Sequence, residues 1–300
     1  MSQASDMVRK TFSEGDDKRD AGLFTPQDVE RFDDIVYGED TAWQVLDVYR
    51  PKALKGKKLP VIVSVHGGGW VYGDKERYQY YCMNLAQRGF AVVNFTYRLA
   101  PEYKYPASLE DTNLVFAWVL AHGEQYGFDT RYVFGVGDSA GAHNLGLYAA
   151  ICTNPQYAQS YDFQVPGGFV PTAIALNCGA YKIVLNGDEQ DLTQLLMADY
   201  LPEKGSAREV ALINVVNHIT EQYPPTFFMT CTGDFLKVQA PILAQRLMEC
   251  NVPFVYRLYG DIQNKLPHVF HCDVRSTDAR LCNDEECDFF KSFLPQGDRE

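Results

Sequence analysis

Short apolar runs rich in β-branched residues alternate with longer stretches of helical spacing from about residue 32 onward. The runs 59–69 (LPVIVSVHGGG) and 131–138 (RYVFGVGD) are largely apolar, as in strands buried on both faces. Apolar residues at helical spacing follow in 74–88, 108–123 and 140–154. This alternation predicts an α/β fold, in which a mostly parallel twisted sheet is covered by helices on both faces.

The same pattern predicts more strands and one more helix. These strands are expected at 90–99, 172–179, 225–234 and 252–260. The helix is expected at 239–250, before the last strand. Two earlier runs, 31–37 and 43–50, are predicted as edge strands, and in the second of them apolar and polar residues alternate.

Residues 181–223 break this rhythm, because they are polar, helical in pattern and inserted between two strands. We expect them to form a small helical cap over the carboxyl ends of the strands, where open α/β sheets bind their ligands. The polar residues 1–30 are expected to be a mobile arm or part of the same cover. Residues 31–300 then form one α/β domain that carries the cap.

Composition narrows the class of protein. The formal net charge of −12 argues against a nucleic-acid partner, which needs clustered Lys and Arg. The amino terminus has no apolar signal region, and no stretch approaches 18 uninterrupted apolar residues, so we expect neither secretion nor a membrane partner. Eight scattered cysteines without a C-x-x-C pair are typical of thiols in a reducing compartment. The sequence predicts a cytoplasmic protein without metal or cofactor, and it leaves open whether the chain forms a homo-oligomer.

The stretch FGVGDSAGAH places Ser139 between Gly137 and Gly141, at the junction of a predicted strand and a predicted helix. Such a G-x-S-x-G turn holds the serine in strained backbone geometry and presents its hydroxyl above the sheet, which requires small neighbours. A serine hydroxyl is a weak nucleophile, so catalysis also needs a base, a group that orients the base, and donors for an oxyanion.

The donors are expected in the turn HGGGW, where Gly67, Gly68 and Gly69 follow a buried strand. Glycines let backbone N–H groups approach a substrate without Cβ interference, although a simple glycine-rich turn is the alternative.

For the base, the sequence favours His268, in a loop after the last strand, with His271 as its rival. For the orienting acid it favours Asp234, directly after a buried strand, where an aspartate also serves as a helix cap. Asp138, next to the serine, is expected to stabilise the turn.

These motifs resemble a known family. HGGGW, YRLAPE, GDSAG, GDFL and PHVF, in this order over residues 45–294, resemble the hormone-sensitive-lipase-like α/β hydrolases, especially bacterial acetyl esterases. The resemblance implies an α/β-hydrolase fold with Ser139 as nucleophile, His268 as base and Asp234 holding the imidazole tautomer. It also implies that Gly67, Gly68 and Ala140 supply the oxyanion hole.

The expected function is a serine carboxylesterase for short-chain, acetyl-type esters, with acetylated carbohydrates as one candidate substrate class. Three aromatic residues near the expected mouth, Trp70, Tyr72 and Tyr181, are candidates for stacking on a substrate, or else ordinary packing residues. Two alternatives stay open: an aryl formamidase-like amide hydrolase, and a ligand-binding member of the fold without catalysis.

Overall fold

The apolar runs form an eight-stranded sheet in the computed structural model, which describes residues 2–298. The strands are β1 (Val29–Val36), β2 (Val45–Pro51), β3 (Leu59–Val65), β4 (Ala91–Phe95), β5 (Phe128–Asp138), β6 (Ile174–Asn177), β7 (Thr226–Cys231) and β8 (Phe254–Tyr259). Their order is β1-β2-β4-β3-β5-β6-β7-β8, and only the pairs of β2 with β1 and β4 are antiparallel. The predicted, mostly parallel sheet is confirmed.

One prediction about the sheet edge is wrong. Residues 31–36 of the run 31–37 fall in the edge strand β1 together with Val29 and Glu30. Residues 45–50 of the run 43–50 fall in β2, which lies inside the sheet with its five central residues buried. Its polar Asp47 is tolerated there because Lys75 Nζ lies 3.0 Å from its carboxylate and the Tyr49 hydroxyl donates to it at 2.7 Å. The polar residue of this buried ion pair gives the strand the alternation of apolar and polar residues that is typical of a half-exposed strand.

Helices cover both faces, as predicted. They are α1 (Gln3–Asp20), α2 (Lys75–Ala86), α3 (Ala107–Ala121), α4 (Gly123–Tyr126), α5 (Ala140–Thr153), α6 (Pro155–Ala158), α7 (Leu192–Tyr200), α8 (Ala207–Ile213), α9 (Gln239–Glu249) and α10 (Thr277–Lys291). Alternate residues of β3 belong to two apolar clusters: Val61 and Val63 to one that includes residues of α3, α5 and α9, and Ile62 to one that includes residues of α2 and α10. Within residues 2–298, none of the helices has the length and apolar character needed to cross a bilayer.

Two segments lie above the carboxyl ends of the parallel strands. Residues 181–223, here named the cap segment, carry α7 and α8 between β6 and β7. The polar amino-terminal stretch is a helix, α1, whose first turn is capped by Ser2 and whose last turn is basic, as the helix dipole favours. Ser2 and Ser5 donate to Asp199 of α7, so polar contacts join α1 to the cap segment.

Candidate active site

Ser139 stands at the sharp turn between β5 and α5. Its backbone has φ 52° and ψ −117°, a conformation that is rare and strained for a residue with a side chain. A Cβ atom on Gly137 would lie 2.6 Å from the Gly141 carbonyl oxygen, and one on Gly141 would lie 2.0 Å from that of Val65. The flanking glycines are therefore required by close packing of the backbone, and the half-buried Ser139 remains accessible.

The glycine turn supplies backbone N–H groups beside the serine. The N–H of Gly68 donates to no described residue, and neither does that of Ala140, the first residue of α5. The N–H of Gly67, in contrast, donates to the Tyr78 hydroxyl at 2.9 Å. The predicted role of Gly67 as an oxyanion donor is therefore wrong, because a side chain of α2 already occupies that N–H.

Tyr78 joins the glycine turn to the nucleophile turn. Its hydroxyl accepts from Gly67 and donates to Asp138 Oδ2 at 2.8 Å. Burial raises the pKa of Asp138 to about 6, although the Tyr78 hydrogen bond opposes the shift. Asp138 thus has the turn-stabilising position expected of it, and the sequence contains no local signal for Tyr78, which is brought there by the tertiary fold.

His268 and Asp234 form a hydrogen-bonded pair, with Nδ1 of the histidine 2.7 Å from Oδ1 of the aspartate. Asp234 is 1% exposed and also accepts from the Thr230 hydroxyl and the Leu236 N–H. Burial raises the pKa of Asp234, but the hydrogen bonds and charge of these partners, His268 first among them, outweigh burial and hold the pKa below its usual value. The carboxylate is therefore ionised and oriented toward the imidazole.

The rival histidine lies elsewhere. His271 is fully buried, its ring meets the edge of Tyr81, and burial lowers its pKa to about 3. The loop that carries His268 is fixed to the end of β7, because Gly233 N–H donates to the Leu266 carbonyl at 3.0 Å. Of the two histidines, the fold brings His268 to the aspartate and to the serine.

Two cavities meet at Ser139. The histidine-side cavity has a volume of about 260 Å³ and is lined by Thr11, Phe12, Gly15, Asp16, Arg19, Gly67, Gly68, Tyr72, Tyr78, Asp138, Ser139, Phe235, His268 and Val269. The apolar cavity has a volume of about 420 Å³ and is lined by Val8, Phe12, Gly69, Trp70, Ser139, Ala140, Ala180, Lys182, Ile183, Val184, Leu192, Thr193, Leu196, Phe235, Leu236, Gln239 and Ile242. A larger open groove beside α1, of about 840 Å³, contains neither Ser139 nor His268.

Ser139, Phe12 and Phe235 line both cavities, so two phenylalanines stand around the serine where the cavities meet. Sequence reasoning missed both. Phe12 belongs to α1, whose polar pattern gave no reason to place it at the site. Phe235 follows Asp234 directly and is 68% exposed. Such exposure is unusual for phenylalanine and indicates a binding surface, but it can be seen only in the structure.

The three candidate stacking residues differ in their position relative to the two cavities. Trp70 lines the apolar cavity but is 8% exposed, stacks on Tyr200 and donates to His143 Nδ1 at 3.0 Å. Tyr72 lines the histidine-side cavity, and its hydroxyl donates to Asp16. Tyr181 is 1% exposed and lines neither cavity, so its prediction as a substrate-binding residue is wrong. Its hydroxyl donates to the Leu176 carbonyl, which makes it a core residue.

Among the described residues, two groups offer metal-ligand atoms within 4.8 Å of one another: Asp138 with His271 and Cys272, and Cys178 with Asp234 and His268. In the second group the aspartate and the histidine are bonded to each other. A metal ion there would compete with that hydrogen bond. In the first group all three residues are buried.

A buried glutamate supports the nucleophile turn from below. Asn177 accepts the Ser139 N–H through its backbone carbonyl at 2.9 Å, and its side chain donates to Glu286 of α10. The Tyr81 hydroxyl also donates to Glu286, which is fully buried. Burial raises the pKa of Glu286 to about 7, and the hydrogen bonds from Asn177 and Tyr81 offset the shift only in part.

This raised pKa predicts a pH-dependent stability. An unfolded glutamate has a pKa near 4.3, so Glu286 contributes stability that is fully present below that pH and is lost as the pH rises toward about 7. Between pH 5 and pH 8, the free energy of unfolding should fall by about 2 kcal/mol more in the unmodified protein than in Glu286→Gln. Chemical denaturation at both pH values measures the shift. The exposed Asp284→Asn, two residues away, is the control, and an equal shift in both variants would contradict the assignment.

Comparisons with known proteins find relatives among esterases. The family model BD-FAE matches residues 46–239. Esterase LipC of Mycobacterium tuberculosis is 35% identical over 124 residues, which are 41% of this chain and 30% of LipC, so this match spans under a third of that relative. Versiconal hemiacetal acetate esterase of Dothistroma septosporum is 29% identical over 243 residues, covering 74% of this chain and 70% of that protein.

Solved structures extend the likeness over the full length. Esterase B from Lactobacillus rhamnosis, in its structure with a C4-C4 tributyrin phosphonate, superposes with a TM-score of 0.87 at 25% sequence identity. That likeness covers 99% of this chain and 97% of the other. A bacterial heroin esterase, at 20% identity and a TM-score of 0.76, shares the fold.

Proposed function

The chain belongs to the BD-FAE family and to the hormone-sensitive-lipase-like α/β-hydrolase esterases, and from this premise we propose that it is a serine carboxylesterase that uses Ser139, His268 and Asp234 as its triad. The observation that carries the proposal is the 2.7 Å hydrogen bond of His268 to a buried, ionised Asp234, because His268 lines the cavity that also holds the strained Ser139. This arrangement fits nucleophilic acyl transfer.

The proposed mechanism follows from these positions. The Ser139 hydroxyl attacks the ester carbonyl while His268 takes its proton through Nε2, since Nδ1 is held by Asp234. The tetrahedral oxyanion accepts hydrogen bonds from the N–H groups of Gly68 and Ala140. The imidazolium then protonates the leaving alcohol. Water, deprotonated by the same imidazole, attacks the acyl-enzyme and releases the carboxylic acid and Ser139.

We place the two halves of the ester in the two cavities. His268 must reach the leaving-group oxygen and lines only the histidine-side cavity, so the alcohol lies there. The acyl group then enters the apolar cavity, where Leu196 and Ile183 are among the lining residues. With about 420 Å³, that cavity exceeds the needs of an acetyl group, so we extend the expected acetyl-type specificity to acyl chains of four to about eight carbons. The tributyrin phosphonate of the neighbouring esterase B supports butyryl esters.

Acyl-chain length tests this proposal. Each buried methylene contributes about 0.8 kcal/mol, so kcat/KM for p-nitrophenyl butyrate should exceed that for the acetate by about tenfold. We expect Leu196→Phe, which fills the apolar cavity, to remove this preference while keeping activity on the acetate. Leu281→Phe, at an exposed position of α10, is the matched control. A preference for acetate in the unmodified enzyme would contradict the acyl assignment, and no hydrolysis of any of these esters would overturn the esterase proposal.

A further inference from the structure

Gly15 occupies a position of α1 where the fold does not need a glycine. It lies inside the helix Gln3–Asp20, its φ is not in the left-handed region, and an added Cβ would meet no atom within 4 Å. Glycine is the poorest helix former apart from proline, because its backbone loses the most freedom on folding. Neither backbone geometry nor packing therefore explains the residue.

Gly15 is exposed and lines the histidine-side cavity together with Ser139 and His268. Its neighbours along the helix are larger: Phe12 precedes it by one turn and Arg19 follows it by one turn, and both line the same cavity. Gly15 therefore leaves a gap between two larger side chains in the wall of the cavity that His268 also lines.

The wall around the gap is polar, and its one guanidinium is fully paired. Arg19 Nη1 donates to Asp16 Oδ1 at 2.8 Å, the Tyr72 hydroxyl donates to Asp16 Oδ2 at 2.9 Å, and Arg19 also pairs with Asp20. The two carboxylates already satisfy the guanidinium, and Asp138 adds a further carboxyl group to the same lining, so the described lining residues leave no cation to hold an anionic ligand. This cavity is thus unsuited to a negatively charged group.

We propose that Gly15 is a specificity-determining residue that leaves room for a ring-sized alcohol without negative charge as the leaving group of the ester. The proposal rests on the proposed esterase function, because that function places the alcohol on the side of His268. A side chain at position 15 would fill the space that the ring of such an alcohol occupies, while a two-carbon alcohol would not reach it.

The test compares benzyl butyrate with ethyl butyrate, two esters with the same acyl group and leaving alcohols of similar acidity. We expect Gly15→Leu to lower kcat/KM for the benzyl ester at least about tenfold relative to the ethyl ester. Because leucine is the better helix former, the melting temperature of the variant should rise by about 2 °C. Glu14→Leu is the matched control, since Glu14 is exposed on the same helix and lines neither cavity.

The outcomes separate the two proposals. An equal effect on both esters, no effect on either, or the same selective loss in Glu14→Leu would overturn the role of Gly15. The unmodified enzyme must hydrolyse ethyl butyrate for the comparison to be made, and its failure to do so would overturn the esterase proposal instead.

Discussion

Replacing Ser139 with alanine is expected to lower kcat for p-nitrophenyl butyrate by about 10⁴- to 10⁶-fold. The variant retains the N–H groups of Gly68 and Ala140 and the pair of His268 with Asp234, but it has no atom that can form the acyl-enzyme. Because the members of a triad act as a unit, the residual rate should not fall much further when His268 is also replaced. Steady-state rates of the single and double variants, with near-equal loss in both, are the measurement.

Ser139→Gly serves as the control that separates chemistry from folding. The φ of 52° is strained for serine but readily adopted by glycine. After the entropic cost of the glycine, we expect the free energy of unfolding to rise by about 1 kcal/mol although the activity is lost. A variant that is inactive and less stable would contradict the strained geometry of the turn, and a variant of Ser139 with near-normal activity would contradict its role as nucleophile.

Asp234→Asn is expected to cost about 10³- to 10⁴-fold in kcat. The carboxylate accepts from His268 and from two further donors, Thr230 and the Leu236 N–H, so its amide replacement both removes the charge that stabilises the imidazolium and alters the hydrogen bonds that fix the histidine. The loss should appear in kcat more than in KM, because Asp234 does not line either cavity. The measurement is the full rate profile against substrate concentration.

The matched control is Asp261→Asn, which makes the same chemical change in an exposed loop where the carboxylate caps the N–H groups of Gln263 and Asn264. It should leave kcat unchanged within about twofold, as substitutions away from a site usually do. If Asp234→Asn is no more harmful than Asp261→Asn, another group orients His268 and the proposed triad is wrong.

The sheet and the position of Ser139 could be predicted because the information is local. Buried parallel strands can be predicted from uniform apolar runs such as 59–65. The nucleophile turn can be predicted from its glycines, because Cβ atoms added to Gly137 and Gly141 would lie 2.6 and 2.0 Å from backbone oxygens. The edge prediction for β2 failed for the opposite reason. The polarity of Asp47 is compensated by Lys75, a residue 28 positions away, and no local pattern reports such a pair.

The remaining parts of the site depend on tertiary contacts. The N–H of Gly67 is occupied because α2 brings Tyr78 to it, and Tyr181 is buried because its hydroxyl turns inward to the Leu176 carbonyl. Helix α1 buries only a few residues, among them Ala4 and Val8, and polar contacts such as that of Arg9 Nε with the Val71 carbonyl at 2.8 Å add to its docking. So short an apolar stripe in a polar segment did not indicate a docked helix, and the walls contributed by Phe12 and Gly15 were missed with it.

The central claim is that Ser139 becomes covalently acylated, and the most direct test is to locate a covalent adduct. The enzyme would be treated with a p-nitrophenyl dialkyl phosphate, which transfers its phosphoryl group to an activated serine with release of p-nitrophenol, and peptides would then be sequenced by mass spectrometry. The account predicts one adduct per chain, on Ser139, formed in step with the loss of esterase activity and strongly slowed in Asp234→Asn. Inactivation with the adduct on another residue, or full labelling of Ser139 while ester hydrolysis continues, would contradict it.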